Sequence, residues 1–298
     1  MIKIIFGARG RFFMQVAGRA LRSLLVLALA GLAGAALVRL APGWDVDEAQ
    51  VDLRLSRQSV ERIGAERALS RNPLSFYMKY LSSLTRGEMG RSEVYGQAVA
   101  QLIGERFSVT ARTVGAGLLI AWCAALLLGT AVALSDRPAV LVGATALTAS
   151  ALSIPAGLLA VFCLLARLPP LAAIAAIVFP RIFPHVYEQV RAGRARPYVL
   201  FGRGRGIPPL RMFLWYVLPL AAGPLIALAG VSVTLAFSAS IPVEALADSA
   251  GLGQLAWKAA LGRDLPVLVT ITLLLTAITT LVNFWSDLLL LCLGDTAV

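Results

Sequence analysis

Charged residues are scarce in this sequence. Only 14% of its 298 residues are charged and 58% are hydrophobic, whereas a typical soluble domain has about 25% charged residues. The mean hydropathy is +0.80. A chain of this length with so few charges has to present much of its surface to lipid. The composition therefore excludes an ordinary soluble domain and indicates an integral membrane protein.

Histidine and cysteine are also rare, which limits the chemistry that the chain could perform. The only histidine, His185, has no acidic neighbour before Glu188, and a Ser-His-Asp or Cys-His arrangement would have to use it. Metal sites and disulfide frameworks need several ligands or regularly paired cysteines. The three cysteines instead lie in or at the end of apolar segments, without CxxC spacing: Cys123, Cys163 and Cys292. We predict no catalytic site, no metal site and no cofactor, and therefore no enzyme.

Positive charge is in excess, with 27 Lys and Arg against 16 Asp and Glu. The arginines lie beside long apolar runs rather than among exposed aromatic residues. This placement is typical of cationic anchors at the cytoplasmic membrane face, so membrane lipid rather than nucleic acid is the predicted partner. The glycine-rich run at residues 202–206 is not followed by Gly-Lys-Ser/Thr, as a phosphate-binding loop would require. We predict no ATPase machinery within the chain.

Long apolar runs are abundant. A helix needs about 20 apolar residues to cross the hydrocarbon core of a bilayer. Six segments approach or exceed this length: about 16–40, 112–136, 137–167, 168–187, 212–243 and 264–287. The sequence therefore predicts an all-α integral membrane protein with about six transmembrane helices in one domain, residues 1–298. Because Pro180, Arg181 and Pro184 interrupt the fourth segment, five spans with a re-entrant fourth segment are the alternative.

The distribution of basic residues predicts the topology. Five basic residues and no acidic residue precede or begin the first span: Lys3, Arg9, Arg11, Arg19 and Arg22. Residues 188–211 carry six arginines against one glutamate, whereas residues 41–106 have balanced charges. Cytoplasmic loops carry the excess of Lys and Arg. We therefore expect the N-terminus and residues 188–211 in the cytoplasm, and residues 41–106 outside.

One acidic residue lies in the last apolar segment. Asp287 follows Asn283 by four residues, so the two share a helix face. Ionisable residues inside a membrane are candidates for function. This pair could bind a proton or a cation, or it could cap the end of the span. An autonomous ion-coupled secondary transporter centred on Asp287 and Asn283 is therefore one hypothesis, and a non-transporting scaffold or an intramembrane enzyme is another.

The loop after the fourth segment resembles the EAA loop of binding-protein-dependent ABC importers. In that motif a glycine precedes a Leu-Pro pair at a fixed distance, and Gly206, Leu218 and Pro219 occupy the matching positions. The glutamate and the two alanines of the motif would fall at residues 200–202, where this chain has Leu-Phe-Gly. The resemblance implies a cytoplasmic coupling helix between the fourth and fifth spans that docks on an ATPase.

Further motifs resemble the permease subunits of dipeptide, oligopeptide and nickel importers, and the pattern extends from about residue 20 to about residue 290. The matching stretches are Tyr77–Leu81, Gly87–Ser92, Leu152–Pro155, Val243-Glu244, Gly251–Gly253, Arg263–Pro266, and Asn283 with Asp287. The chain departs from these permeases at the Asp-Pro-Arg end, of which only Asp295 remains.

The resemblance implies the pore-forming subunit of an ATP-driven, heteromeric importer in the inner membrane, working by alternating access. Its cargo would be peptides or related small solutes, nickel or metal chelates among them. Its partners would be a second permease subunit, two ATP-binding subunits and an extracytoplasmic substrate-binding protein. The ATPase-coupling residues would be Arg203, Arg205, Gly206, Leu218 and Pro219. The pore or gate residues would be Ser153, Pro155, Glu244, Asn283 and Asp287.

Overall fold

The structure is a computed structural model that describes residues 2–40, 78, 82–84, 86–135 and 137–294. Within these ranges the chain is helical, and its only β-type pairing is an isolated bridge between Arg91 and Ala98. The helices are α1 (Ile2–Leu40), α2 (Val99–Leu134), α3 (Pro138–Ser153), α4 (Ala156–Leu165), α5 (Pro170–Arg194), α6 (Pro197–Gly204), α7 (Pro209–Met212), a π-helix (Phe213–Val217), α8 (Leu218–Leu246), α9 (Leu252–Leu261) and α10 (Leu265–Gly294). The predicted all-α fold is confirmed.

Five helical segments among the described residues are long and apolar enough to cross a membrane. They are Val16–Ala33 within α1, Val99–Leu134, Pro170–Arg194, Phe213–Leu246 and Leu265–Leu291. Helices α3 and α4 pass the same test only as a pair, and they are bent by 102° at the break between them. The count is six if this bent pair is one span, which agrees with the prediction of about six.

The position of the break differs from the expectation. Ser153 ends α3, and Ile154 and Pro155 are extended, with ψ of 125° and 138°. Pro155 has no N–H to donate, and it disfavours a helical conformation at the residue before it. Helix α5 instead continues through Pro180 and Pro184. The alternative of a re-entrant fourth segment was therefore wrong, because the interruption lies in the third segment.

Packing explains why the two prolines do not interrupt α5. This helix contacts α3, α4 and α8, and 56% of its membrane-spanning window is buried. Helix-breaking residues are tolerated in membrane helices where neighbouring helices pack around them. In addition, the Arg181 guanidinium donates a hydrogen bond to the carbonyl of Ile177, at 2.7 Å. The polar side chain is thus paired within its own helix.

The chain divides into two compact units, and α5 is central to one of them, Arg106–Leu255 with Leu281–Val298. Small residues allow close helix contacts in this unit. A Cβ atom on Gly117 of α2 would lie 2.8 Å from the carbonyl oxygen of Leu171. A Cβ on Gly193 of α5 would lie 2.9 Å from Val217. Small residues at helix contacts are typical of membrane proteins, where close backbone approach supplies much of the packing energy.

The other unit comprises Met1–Glu105 and Ala256–Thr280. In it a buried carboxylate, Asp264, joins the segment before α2 to the start of α10. Its Oδ2 accepts hydrogen bonds from the Ser92 hydroxyl and from the Val94 N–H, and its Oδ1 accepts from the Val267 N–H. Aspartate at this position caps the N-terminus of α10. Two stretches that carry the permease resemblance, residues 87–92 and 263–266, therefore meet in the fold.

Several predictions concern residues outside the described ranges. They include the organisation of residues 41–77, most of the Tyr77–Leu81 motif, and Asp295.

Candidate functional site

The predicted coupling region contains a short helix that ends in a left-handed turn. We name residues 197–219 the coupling segment. Helix α6 ends at Gly204, and Gly206 follows with φ of +73°. The N–H of Ile207 donates to the carbonyl of Gly202, at 3.3 Å. This bond and the left-handed glycine together form a Schellman motif, which closes a helix and turns the chain. Gly206 thus supplies the turn that ends α6.

Helix α6 presents exposed aromatic side chains, and an arginine follows directly after it. The side chains of Tyr198 and Phe201 are exposed, the latter by 64%. The guanidinium carbon of Arg205 lies 4.7 Å from the centroid of the Phe201 ring, within the range of a cation–π contact. Arg203 lies in the same helix. The segment therefore presents large side chains that could enter a groove on a partner.

The coupling segment ends where a π-helix leads into α8. The N–H of Leu218 donates to the carbonyl of Phe213, five residues back, and Pro219 follows at the start of α8. Proline has no N–H with which to donate the next helical hydrogen bond. A π-turn is one way in which a helix accommodates a proline at such a position. Leu218 is half-buried and Pro219 is exposed. The Leu-Pro pair thus lies at a local irregularity of the helix.

Glu244, at the C-terminal end of α8, is the most completely buried of the predicted gate residues. Its Oε2 accepts a hydrogen bond from the Thr110 hydroxyl, at 3.0 Å, and another from the Gly253 N–H, at 2.8 Å. The Thr110 oxygen in turn accepts from the Leu252 N–H, at 2.7 Å. Because Leu252 and Gly253 are the first two residues of α9, Glu244 and Thr110 together cap that helix.

Two glycines make this arrangement possible. A Cβ on Gly251 would collide with the Glu244 carboxylate, and it would lie 2.6 Å from the Thr110 hydroxyl oxygen. A Cβ on Gly253 would lie 2.6 Å from the Ser240 carbonyl oxygen. Both positions therefore need glycine for close approach. The Gly-Leu-Gly spacing has its physical reason in the contact between the start of α9 and the end of α8.

The two carboxylate oxygens of Glu244 differ in their hydrogen bonding. Within the described part of the chain, Oε1 is buried and finds no hydrogen-bond partner. Nearby polar groups pair with one another instead: Arg106 donates to the Gln254 side-chain oxygen at 3.1 Å, and the Gln254 amide donates to Asp248 at 2.5 Å. Glu244 thus accepts its hydrogen bonds through a single oxygen, although the whole residue is buried.

The remaining predicted residues have separate surroundings. The exposed Ser153 hydroxyl donates to the Ala149 carbonyl in its own helix, at 3.0 Å, beside the bend that contains Pro155. Asn283 is half-buried, and its side-chain oxygen lies 2.5 Å from where a Cβ on Gly230 would be. Asp287, one turn later, is exposed. Asn283 thus takes part in the contact of α10 with α8, whereas Asp287 does not lie in a buried site.

Sequence reasoning did not find Thr110, Arg106 or Gln254. Thr110 lies 134 residues before Glu244 in the chain, and nothing in its local sequence distinguishes it from other threonines in apolar helices. The Gly-Leu-Gly stretch was recognised as a motif, but its role in the close approach to Glu244 follows only from the fold. Among the residues that the structure describes, no three His, Cys, Asp or Glu side chains are grouped as metal ligands.

Comparison with known proteins identifies a related family. Residues 117–294 match the family described as the binding-protein-dependent transport system inner membrane component. The chain is also similar to a probable peptide ABC transporter permease protein of Sinorhizobium fredii (strain NBRC 101917 / NGR234). The two are 23% identical over 303 aligned positions, which cover 91% of this chain and 94% of the relative. The family match includes the coupling segment, Glu244 and all of α10.

Proposed function

Because the chain belongs to the family of binding-protein-dependent transport system inner membrane components, we propose that it forms the pore of an ATP-driven importer. The family is a transport component of the membrane and not an enzyme. An autonomous ion-coupled carrier centred on Asp287 is not favoured, because this family works with a separate binding protein. The match over residues 117–294 carries the proposal, since this range contains both the coupling segment and Glu244.

The proposed cargo is peptides or related small solutes, with nickel and metal chelates as members of the same class. Two observations support this class. The S. fredii relative bears a peptide permease name and aligns with 91% of the chain. The motifs at residues 87–92, 243–244, 251–253 and 263–266 resemble those of dipeptide, oligopeptide and nickel permeases. The binding protein would set most of the selectivity.

The proposed assembly contains a second permease subunit, two ATP-binding subunits and an extracytoplasmic binding protein in the inner membrane. In this arrangement the whole chain, residues 1–298, acts as one permease domain. The N-terminus and residues 188–211 would face the cytoplasm, and residues 41–106 would face outward. This orientation places α6 on the side where ATP is available.

The coupling segment would transmit movement of the ATPase to the membrane helices. The exposed Phe201 on α6 and Arg205 directly after that helix form a compact pair, and they are suited to a groove that accepts one aromatic ring and one positive charge. Gly206 and Pro219 mark the two ends of the connection to α8. ATP-driven closure would move α6, and α8 would carry that movement to Glu244 at its far end. Alternating access then follows from two arrangements of the same helix bundle.

Co-purification with a charge-reversed variant tests this proposal. The tagged chain is extracted from its native membrane in mild detergent, and the associated subunits are identified by mass spectrometry. We expect an ATPase subunit and a second permease with the unaltered chain. Arg205→Glu should lose most of the ATPase while it retains the second permease, because it removes the positive charge beside Phe201. Uptake by cells carrying this variant should fall at least tenfold.

Arg86→Glu is the matched control, because Arg86 is exposed and lies far from the coupling segment in sequence. It should retain both partners and normal uptake. A chain that purifies without an ATPase at any detergent concentration would contradict the importer assignment. Retention of the ATPase by Arg205→Glu at the level of the control would contradict only the proposed role of Arg205.

A further inference from the structure

A cavity of about 380 Å³ lies where α2 and α5, two helices long and apolar enough to cross a membrane, end and where α3 begins. Its walls come from the last turn of α2, the start of α3 and the last two turns of α5. The residues that matter for its chemistry are Val132, Arg137, Leu141, Tyr187, Arg191 and Arg194. None of these residues belongs to the coupling segment or to the Glu244 cluster, and all lie in one compact unit of the chain.

The cavity is strongly basic. Three arginines line it, Arg137, Arg191 and Arg194, and no acidic residue does so among the described residues. Asp136 precedes Arg137 in the sequence and lies outside the described ranges. Even if its charge is counted with the cavity, three positive charges against one leave an excess of positive charge. A site of this composition favours an anion over a neutral or cationic ligand.

The backbone adds to this preference. Helix α3 is 16 residues long and begins at Pro138, and its N-terminus has no side-chain cap. Helix N-termini carry partial positive charge and unpaired N–H groups, which favour a negative ligand. The start of α3 and the three arginine side chains therefore both favour a negatively charged ligand.

Two of the three arginine side chains, those of Arg191 and Arg194, are held by the helices around the cavity. The Arg191 guanidinium donates to the Tyr187 hydroxyl, at 3.3 Å, and lies 6.0 Å from the centroid of that ring. Arg194 donates to the Ala133 carbonyl in the last turn of α2. Tyr187 is buried where α5 packs against Gly129 of α2, on which a Cβ would lie 3.3 Å from the Tyr187 N. The cavity is thus built on a tight helix contact.

The location of the cavity favours a membrane lipid over a soluble anion as its ligand. The cavity lies at the ends of two helices that are long and apolar enough to cross a membrane, so in a bilayer it would lie near the level of the lipid headgroups on one surface. Val132 and Leu141 contribute apolar walls next to the arginines. Nearby side chains on α2 and α3 are exposed and apolar, among them Leu128 and Val142, with exposures of 52% and 65%. This surface suits acyl chains, and basic pockets between membrane helices bind anionic headgroups.

We propose that the arginine-lined cavity between α2, α3 and α5 binds the phosphate-bearing headgroup of an anionic phospholipid. Arg137 and Arg191 contact the phosphate, Arg194 holds the end of α2 in place, and the acyl chains follow the apolar faces of α2 and α3. A lipid at this position would join the helix that leads into the coupling segment to its two neighbours.

Native mass spectrometry of the tagged full-length chain, purified with whatever subunits accompany it, tests the proposal. The chain is titrated with phosphatidylglycerol and separately with phosphatidylcholine of the same acyl composition. We expect selective retention of phosphatidylglycerol. Arg137→Gln/Arg191→Gln should weaken its binding about 30-fold, or roughly fivefold per arginine. Arg86→Gln/Arg112→Gln removes the same charge from exposed positions outside the cavity and outside the coupling segment, and it should bind as the unaltered chain does.

Any of the following results would overturn the proposal. Equal loss in both double variants would mean that general surface charge retains the lipid. Unchanged binding in Arg137→Gln/Arg191→Gln would mean that the lipid lies elsewhere. Displacement by millimolar inorganic phosphate would identify a soluble-anion site. Protection of the cavity by a bound subunit, seen as lipid binding only after that subunit dissociates, would identify a protein contact. Lipid binding is measured without transport, so failure here leaves the importer assignment intact.

Discussion

Glu244 provides the sharpest test at the scale of single residues. Since only Oε2 accepts hydrogen bonds, a glutamine could keep the accepting oxygen and place its amide nitrogen where Oε1 lies. We predict that Glu244→Gln preserves the melting temperature and uptake. Glu244→Leu should leave the Thr110 hydroxyl and the Gly253 N–H without their acceptor, at about 1–3 kcal/mol. Its melting temperature in detergent, followed by tryptophan fluorescence, should fall by several degrees.

The control for this comparison is Glu105→Leu. Glu105 is an exposed carboxylate on α2 that accepts a hydrogen bond from Gln101 at 2.9 Å. Loss of an exposed bond of this kind has little effect on stability, because water replaces the partner. Equal damage by Glu244→Gln and Glu244→Leu would show that the chain requires the negative charge itself.

The sequence singled out some residues of this site and not others. Glu244, Gly251 and Gly253 belong to a recognisable motif, and the motif is a property of neighbouring residues. Thr110 completes the cap of α9 from a helix that is distant in the sequence. A threonine in an apolar segment has no local feature that indicates such a partner, so this half of the site depends on how the helices pack.

At the scale of helices, two glycines of α2, one tightly packed and one facing open space, allow a direct comparison. A Cβ on Gly117 would lie 2.8 Å from the Leu171 carbonyl oxygen and 2.9 Å from Ile174, whereas a Cβ on Gly115 would meet nothing within 4 Å. We predict that Gly117→Ala destabilises the packing of α2 on α5 by about 1–3 kcal/mol, the usual cost of overpacking. Gly115→Ala should be neutral or stabilising, because alanine is the better helix former.

Thermal unfolding in detergent measures both variants under the same conditions. A lower melting temperature for Gly117→Ala alone is the expected result. If the two substitutions changed the melting temperature equally, then the close approach of α2 and α5 would not contribute to stability as the geometry indicates.

The break between α3 and α4 shows why element boundaries are hard to predict. Prolines lie in the interior of both the third and the fourth apolar segments, namely Pro155 in the third and Pro180 and Pro184 in the fourth. The structure interrupts the chain at Pro155 and not at Pro180 or Pro184. Helix α5 is packed on several sides by α3, α4 and α8, and this packing outweighs the lost hydrogen bonds. Local sequence identifies candidate breaks, whereas tertiary contacts select among them.

At the scale of the whole molecule, the proposed topology predicts which surfaces are accessible from outside the cell. We expect Glu88→Cys to react with a membrane-impermeant maleimide in intact cells, and Arg196→Cys to react only after permeabilisation. Both positions are exposed. The native cysteines, Cys123, Cys163 and Cys292, are first replaced by alanine, so that the maleimide can label only the introduced cysteine. Labelling of Arg196→Cys in intact cells would reverse the orientation derived from the basic residues.

The sequence by itself determined the membrane character, the all-α class, the approximate number of spans and the resemblance to importer permeases. These are properties of contiguous residues, because a bilayer selects any apolar helix of sufficient length regardless of its neighbours. The tertiary structure alone decided where the third segment breaks, which hydroxyl meets Glu244, and that Arg137, Arg191 and Arg194 share a cavity. Each depends on helices that are distant in the chain and packed against one another, a relation that local hydropathy does not encode.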